Sequence, residues 1–399
     1  GIRWNTGDVQ LASPILAALI VVALVLQRRG VTRAERDDSS SWEQLREVRP
    51  VPRVLATLPE VRATRAALAV VLAGVVLIGP LAMGTNGQLK AGIVVIFAIV
   101  GTSVVALTGW AGQVSLGQMA FVGVGAAVGA WGTVEHSWDP VTSMVVAGLA
   151  GAVVAVLVGL PALRLRGLYL AVTTLALSLA ASEWVFSNRA HDWIPNGSFS
   201  RPLLLHRIDL DSPLRRYYLS VAVLVLVLVA LRGVRRSRSG RVLVALRDNE
   251  PGVVAYGVHP VRAKLAAFAL SGFVAAVAGV LLVVHQGSFR PVTYEPHESL
   301  AVFIATVIGG LGSLLGAVTG AVFQRGAQWL LPAPWSYLAT GLGVLVVLVV
   351  MPDGLGGALF RGRDALLRRV ARRRGIADLA LDRSAGQEQA AEPAPEVAA

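Results

Sequence analysis

The chain has 399 residues, 55% of them hydrophobic and 15% charged, with a mean hydropathy of +0.64. Soluble domains carry roughly 25% charged residues, so the composition points to a polytopic membrane protein. The formal charge of +12 does not point to nucleic acid, because the basic residues lie between apolar runs and form no stripe with aromatic platforms.

Apolar runs fall at 11–26, 66–83, 89–107, 118–134, 142–160, 168–186, 217–231, 265–284, 299–309, 314–331 and 336–351. Several approach the about 20 residues that cross a bilayer as a helix. The fold class expected is all-α: an integral membrane bundle of about ten core transmembrane or half-membrane helices, plus one extra N-terminal span. The connections alternate in charge. Segments 27–65, 161–167 and 232–264, with the tail from 352, hold 27 of the 36 basic residues. By the positive-inside rule that side is cytoplasmic, which puts the C-terminus inside and Gly1 outside. Residues 1–26 stand apart and read as the end of a preceding unit. Residues 27–65 form a polar cytoplasmic linker, 66–355 the transmembrane core, and 356–399 a basic, then disordered, cytoplasmic tail.

The stretch from Leu107 to Trp131, LTGWAGQVSLGQMAFVGVGAAVGAW, carries the most information. It is apolar enough for a bilayer, yet Gln113, Ser115 and Gln118 sit among its glycines. Polar side chains at membrane depth face a bundle interior or a water-filled path. Glycines there allow close backbone approach or a helix break. The three residues are translocation-path candidates; hydrogen bonding between helices is the alternative. Further along, Thr173, Thr174 and Ser178 form a second small polar set, with Thr174 and Ser178 on one helix face. They line a path or satisfy their own helix carbonyls. The segment IGGLGSLLGAVTG, from Ile308 to Gly320, mirrors the first Gly-rich break in the second half. Gly312, Gly316 and Gly320 recur every four residues, as on a tightly packed helix face.

There is no cysteine, which excludes disulfides, thiol chemistry and cysteine metal sites. The six histidines are scattered and form no ligand cluster, so neither a metal nor any cofactor is expected.

Four segments in order carry a resemblance: GWAGQVSLGQMAFVGVGA, RLRGLYLAVTTLALSLA, ALRDNEPGVVAYGVHPVRAKLAAFALSG and VIGGLGSLLGAVTGA. Together they closely resemble the second of the two permease types in branched-chain amino-acid ABC importers, over about residues 66–355. The resemblance implies ABC ATPase subunits, a second permease and an extracytoplasmic substrate-binding protein as partners, within the lipid bilayer of the plasma membrane. It also implies that the first span and linker are the tail of a fused partner permease. Loop 232–264 then looks like the coupling segment that docks into the ATPase, with Arg247, Asp248, Asn249, Glu250 and Gly257 as coupling candidates. Glu250 and Gly257 stand seven apart, where the common importer form has six.

No phosphate-binding loop of the form GxxxxGK[ST] is present: Lys90 precedes Ala91 and Lys264 precedes Leu265. ATP hydrolysis is therefore assigned to a partner, and the chain is not read as an enzyme. An ion-coupled secondary transporter is the alternative; it favours acids or histidines at mid-membrane, and the central spans carry no clear buried acid.

Overall fold

A computed structural model describes residues 58–163, 167–186, 193–195, 197–205, 207–330 and 354–373. The first span at 11–26, most of the linker, the span at 336–351, Arg164, Arg166, His191, Asp192, His206 and the tail beyond 373 lie outside the described residues. The described residues fall into two units, one within 80–330 together with 354–356 and the other comprising 58–79 and 357–373.

Among the described residues there is no β-strand, only the isolated bridges Ser198–Ser288 and Leu204–Ile208. The helices are α1 (Pro59–Ile78), α2 (Thr85–Val104), α3 (Gln118–His136), α4 (Pro140–Ala162), α5 (Leu168–Ala180) and α6 (Pro213–Arg236). They continue with α7 (Arg238–Asp248), α8 (Glu250–Ala255), α9 (Pro260–Gln286), α10 (Pro296–Gly309), α11 (Leu314–Leu330) and α12 (Gly354–Arg373). Among the described residues five helical stretches are long and apolar enough to cross a membrane: α1 with its 3-10 extension, α2 with its π-helical extension, α4, α6 and α9. The protein is thus an all-α polytopic membrane bundle. In the smaller unit, α1 is apolar and exposed along almost its whole length.

Local sequence sets the helix ends. Pro140 occupies the first position of α4, where a missing N–H costs nothing, and Asp139 caps it by accepting from the Val141 N–H at 2.7 Å. Pro260 opens α9, and Gly287 closes it in the left-handed region at φ +66°.

The core of the larger unit is built on α9 and α2, whose most apolar stretches are 83% and 78% buried. The two run antiparallel: Leu89 faces His285 near one end, and Ser103 faces Ser271 deeper along. Helix α3 lies parallel to α9 and very close to it. A methyl group added at Gly279 would stand 2.0 Å from the Val122 carbonyl oxygen. Without a hydrophobic force between helices in lipid, such close van der Waals contact is what holds them together. Helix α4 also packs on α9, antiparallel to it, with Ala155 against Gly272 and Gly159 against Phe268.

The runs at 299–309 and 314–331 do not form a continuous path. They make a hairpin in which α10 and α11 are bent by 119° at residues 310–313. Gly309 meets Gly316, Ala305 meets Gly320, and Glu298 meets Arg325, so α11 doubles back along α10. Gly316 and Gly320 are packed on α10 backbone. Gly312 sits in the turn before α11 rather than on its face.

One end of the bundle is latched by polar groups. The His285 Nε2–H donates to the Leu89 carbonyl at 2.8 Å, and the buried Arg216 donates through Nη1 to the His285 carbonyl at 2.8 Å. That ties α2, α6 and α9 together there.

Candidate functional site

The candidate site lies at the opposite end of α2. Residues Val105–Trp110 continue α2 in π-helical register, and every one of them is buried. Turns of this kind are frequent at functional sites. The chain leaves the helix through Gly112 at φ +66°. The Gly112 N–H donates to the Thr108 carbonyl at 3.1 Å and the Gln113 N–H to the Leu107 carbonyl at 3.2 Å. This is the glycine closure that commonly ends helices, one residue wider because the π register is wider.

Gly109 allows a close backbone approach. A Cβ there would lie 2.1 Å from the Leu311 carbonyl oxygen, in the turn between α10 and α11. The two Gly-rich breaks noted in the sequence therefore meet in space. The Gly109 carbonyl accepts from Arg247 Nη1, the last turn of α7, at 2.5 Å.

Residues 113–117 carry the chain across to α3. The Leu116 N–H donates to Thr174 Oγ1 on α5 at 3.0 Å, and that hydroxyl donates to the Ala171 carbonyl at 2.9 Å. Ser115 is buried and its hydroxyl faces the Gly117 N–H at 3.4 Å. Gln113 is half-buried, its amide donating to the Ala111 carbonyl at 3.1 Å. Gln118 opens α3 and is 1% exposed. Its Nε2 donates to Ser103 on α2 at 2.6 Å and to Ser271 on α9 at 2.9 Å. Both serines spend their own protons on carbonyls: Ser103 on Val100 (2.6 Å) and Ser271 on Ser103 (2.9 Å). The next residue, Met119, donates its N–H to Ser299 on α10 at 2.8 Å. Four helices thus converge on the start of α3. Gln118 Oε1 has no hydrogen-bond partner among the described residues, which leaves one buried acceptor open.

The structure brings Gln113, Ser115, Gln118 and Thr174 into this junction. Thr173 bonds its own helix at the Tyr169 carbonyl (2.8 Å), and Ser178 is buried with no partner among the described residues. Neither bonds to the junction. Ser103, Ser271 and Ser299 were not singled out in the sequence. Their signal is weak: Ser103 follows Thr102 in an apolar run, Ser271 precedes Gly272 in another, and Ser299 follows Glu298 at the edge of a third.

The coupling candidates form two short helices. Arg247 pairs with Asp248 at 2.8 Å while reaching Gly109. Asn249 caps α8 by accepting from the Gly252 N–H at 2.9 Å. Glu250 forms an ion pair with Lys264 on α9 at 2.8 Å, so it is partly committed inside the chain. Gly257 turns the chain at φ +80° after α8, which buries none of its residues. On the α10–α11 hairpin, Arg325 bonds Glu298 at 2.6 Å and lies 3.5 Å over the ring of Phe97 on α2. Among the described residues, no three His, Cys, Asp or Glu are grouped to hold a metal ion.

A model of the family described as branched-chain amino acid transport system / permease component matches residues 86–351. The chain belongs to this family. The permease is 29% identical over 286 residues to the high-affinity branched-chain amino acid transport system permease protein LivM of Escherichia coli strain K12, covering 65% of this chain and 67% of that one. It is 35% identical over 159 residues to the autoinducer 2 import system permease protein LsrC of Enterobacter sp. strain 638, covering 37% of this chain and 46% of that one. It is 31% identical over 140 residues to the xylose transport system permease protein XylH of Haemophilus influenzae, covering 32% and 37%. No solved structure matches. The protein is a multi-pass membrane permease of the ABC-importer kind, from a family of transport subunits rather than enzymes. Such permeases work in general with ATPase and binding-protein partners.

Proposed function

We propose that this permease forms the translocation path for branched-chain or related amino acids, in partnership with a second permease. A separate pair of ATPase subunits drives it, and an extracytoplasmic binding protein feeds it. The substrate class rests on the likeness to LivM. The observation that carries the path is the junction at 109–118: a break in a buried helix, lined by neutral dipoles and one open amide acceptor. A zwitterion guided by such dipoles passes without being held tightly. A secondary transporter favours ionisable groups at mid-membrane, and Gln113, Ser115, Gln118 and Thr174 are all neutral.

Residues 66–355 constitute the permease domain, with 1–26 as an additional span, 27–65 as a cytoplasmic linker and 356–399 as a cytoplasmic tail. The arginine-rich side faces the cytoplasm, so α7 and α8 carry the ATPase-coupling segment. The junction then lies towards the cytoplasmic end of α2, and the Leu89–His285 latch towards the outside. Thr173 and Ser178 stand as further path candidates on α5.

The test is transport by the assembled complex in proteoliposomes. Uptake of radiolabelled leucine is expected to require both ATP and the binding protein. Uptake driven by an ion gradient without ATP would refute the reading.

A further inference from the structure

Arg247 was read in the sequence as a contact to the ATPase, yet its side chain is turned inward. Only 11% of it is exposed, against 56% for its neighbour Asp248. Its Nη1 holds the Gly109 carbonyl, while its aliphatic stem packs on Gly112, where an added Cβ would come within 3.0 Å of Cγ. The Gly109 carbonyl belongs to the last turn of a helix. Such carbonyls lack intrahelical partners and carry the negative end of the helix dipole. A guanidinium is the side chain best suited to that position, since it stays charged and donates in a fixed fork. On its other face Gly109 is pressed against the Leu311 carbonyl. Three residues after Arg247, α8 begins; it buries nothing, and Tyr256 beyond it is 91% exposed.

We infer that Arg247 is a positioning residue that transmits displacement of the coupling segment to the break in α2. The outer surface of α7 and α8 meets the ATPase; Arg247 is the strut behind it. When α7 moves, the Gly109 carbonyl moves with it or is released. The release frees the π-helical end and the Gly112 turn together, and with them the loop that leads to Gln118. Asp248 keeps the guanidinium oriented from the solvent side, through contacts to Nε and Nη2 at 2.8 Å. This inference rests on the coupling reading above.

The experiment uses the full complex, permeases with ATPase and binding protein, in proteoliposomes, and measures leucine taken up per ATP hydrolysed. Arg247→Met keeps the stem against Gly112 and removes every donor. Its complex is expected to assemble and hydrolyse ATP, with uptake per ATP reduced about tenfold, the effect of losing one charge-assisted hydrogen bond of about 1.5 kcal/mol. Arg247→Lys, which retains a charged donor, is expected to recover part of the ratio. A ratio within twofold of the native value for Arg247→Met overturns the inference. If Arg247→Met does not assemble, the ratio is read on Arg247→Lys; a lowered value supports the strut and a native value overturns it. Failure of both variants to assemble makes the contact a folding element and also overturns it. A separate arm tests the coupling reading. Tyr256→Cys should cross-link to a cysteine placed on the permease-facing surface of the ATPase. Absence of that cross-link defeats the coupling reading, whereas a good cross-link with an unchanged ratio defeats only the strut.

Discussion

Replacing Gln118 with leucine separates a residue that ties helices from one that serves the path. The native amide makes two hydrogen bonds, to Ser103 and Ser271, and leaves Oε1 unpaired. In membrane proteins a side-chain hydrogen bond between helices averages about 0.6 kcal/mol, so losing both costs about 1.2 kcal/mol. Each serine still donates to a carbonyl, so no hydroxyl proton is stranded. Removing an unpaired buried acceptor returns about 1 kcal/mol or more, and leucine fills nearly the same volume. The net change in stability is therefore within about 1 kcal/mol of zero. If Gln118 serves the path through its open acceptor, uptake falls at least about tenfold while the fold stays intact, the cost of about 1.4 kcal/mol in the transport barrier. The assay pairs thermal unfolding of the detergent-solubilised complex with leucine uptake in proteoliposomes. Near-native uptake in a stable complex would remove Gln118 from the path. Loss of assembly would show that the three-helix knot holds the fold, and that the energy reckoning above is wrong.

Two further outcomes follow from the topology and the coupling segment. Ser239 on α7 and Ser198 are both exposed, and the chain has no native cysteine. Under the proposed orientation, Ser239→Cys should resist a membrane-impermeant thiol reagent in intact cells and Ser198→Cys should react; the reverse pattern inverts the topology. Glu250→Arg places a cation beside Lys264, so ATPase stimulation should drop although the lost ion pair, partly solvated, is worth about 1 kcal/mol or less. The charge swap Glu250→Arg with Lys264→Glu should restore stimulation to within about twofold, given how little such a pair contributes. Normal stimulation by the single variant would reduce the loop to a linker.

The apolar runs between 66 and 331 correspond closely to the observed helices, because hydropathy and proline or glycine at the ends set them locally. The Gly-rich break between α10 and α11 was legible but its reversal was not, since both halves are apolar and neither the glycines nor Ser313, which caps α11 by accepting from the Gly316 N–H at 2.9 Å, fixes the angle of the turn. Gly312 has the spacing of a helix-face residue, but spacing cannot say where α11 starts. Gln118 stood out because an amide is costly in lipid. Its partners Ser103 and Ser271 did not, because a serine can always satisfy itself on its own helix. The inward turn of Arg247 was equally hidden: nothing in ALRDNE distinguishes an arginine facing a protein carbonyl from one facing solvent or another subunit.

The latch between Leu89, His285 and Arg216 gives α2 a lever arm. The twenty residues from Leu89 to Gly109 span about 30 Å at helical rise. With the far end pinned, each degree of tilt carries Gly109 sideways by about 0.5 Å over that length. The Arg247 contact at 2.5 Å then passes beyond hydrogen-bonding reach after a tilt of only about 1.5 degrees away from Arg247, given the about 3.2 Å limit of such bonds. A gate built this way needs no large rearrangement of the bundle. An angular change too small to disturb the packing of α2 on α9 suffices to disengage its inner end.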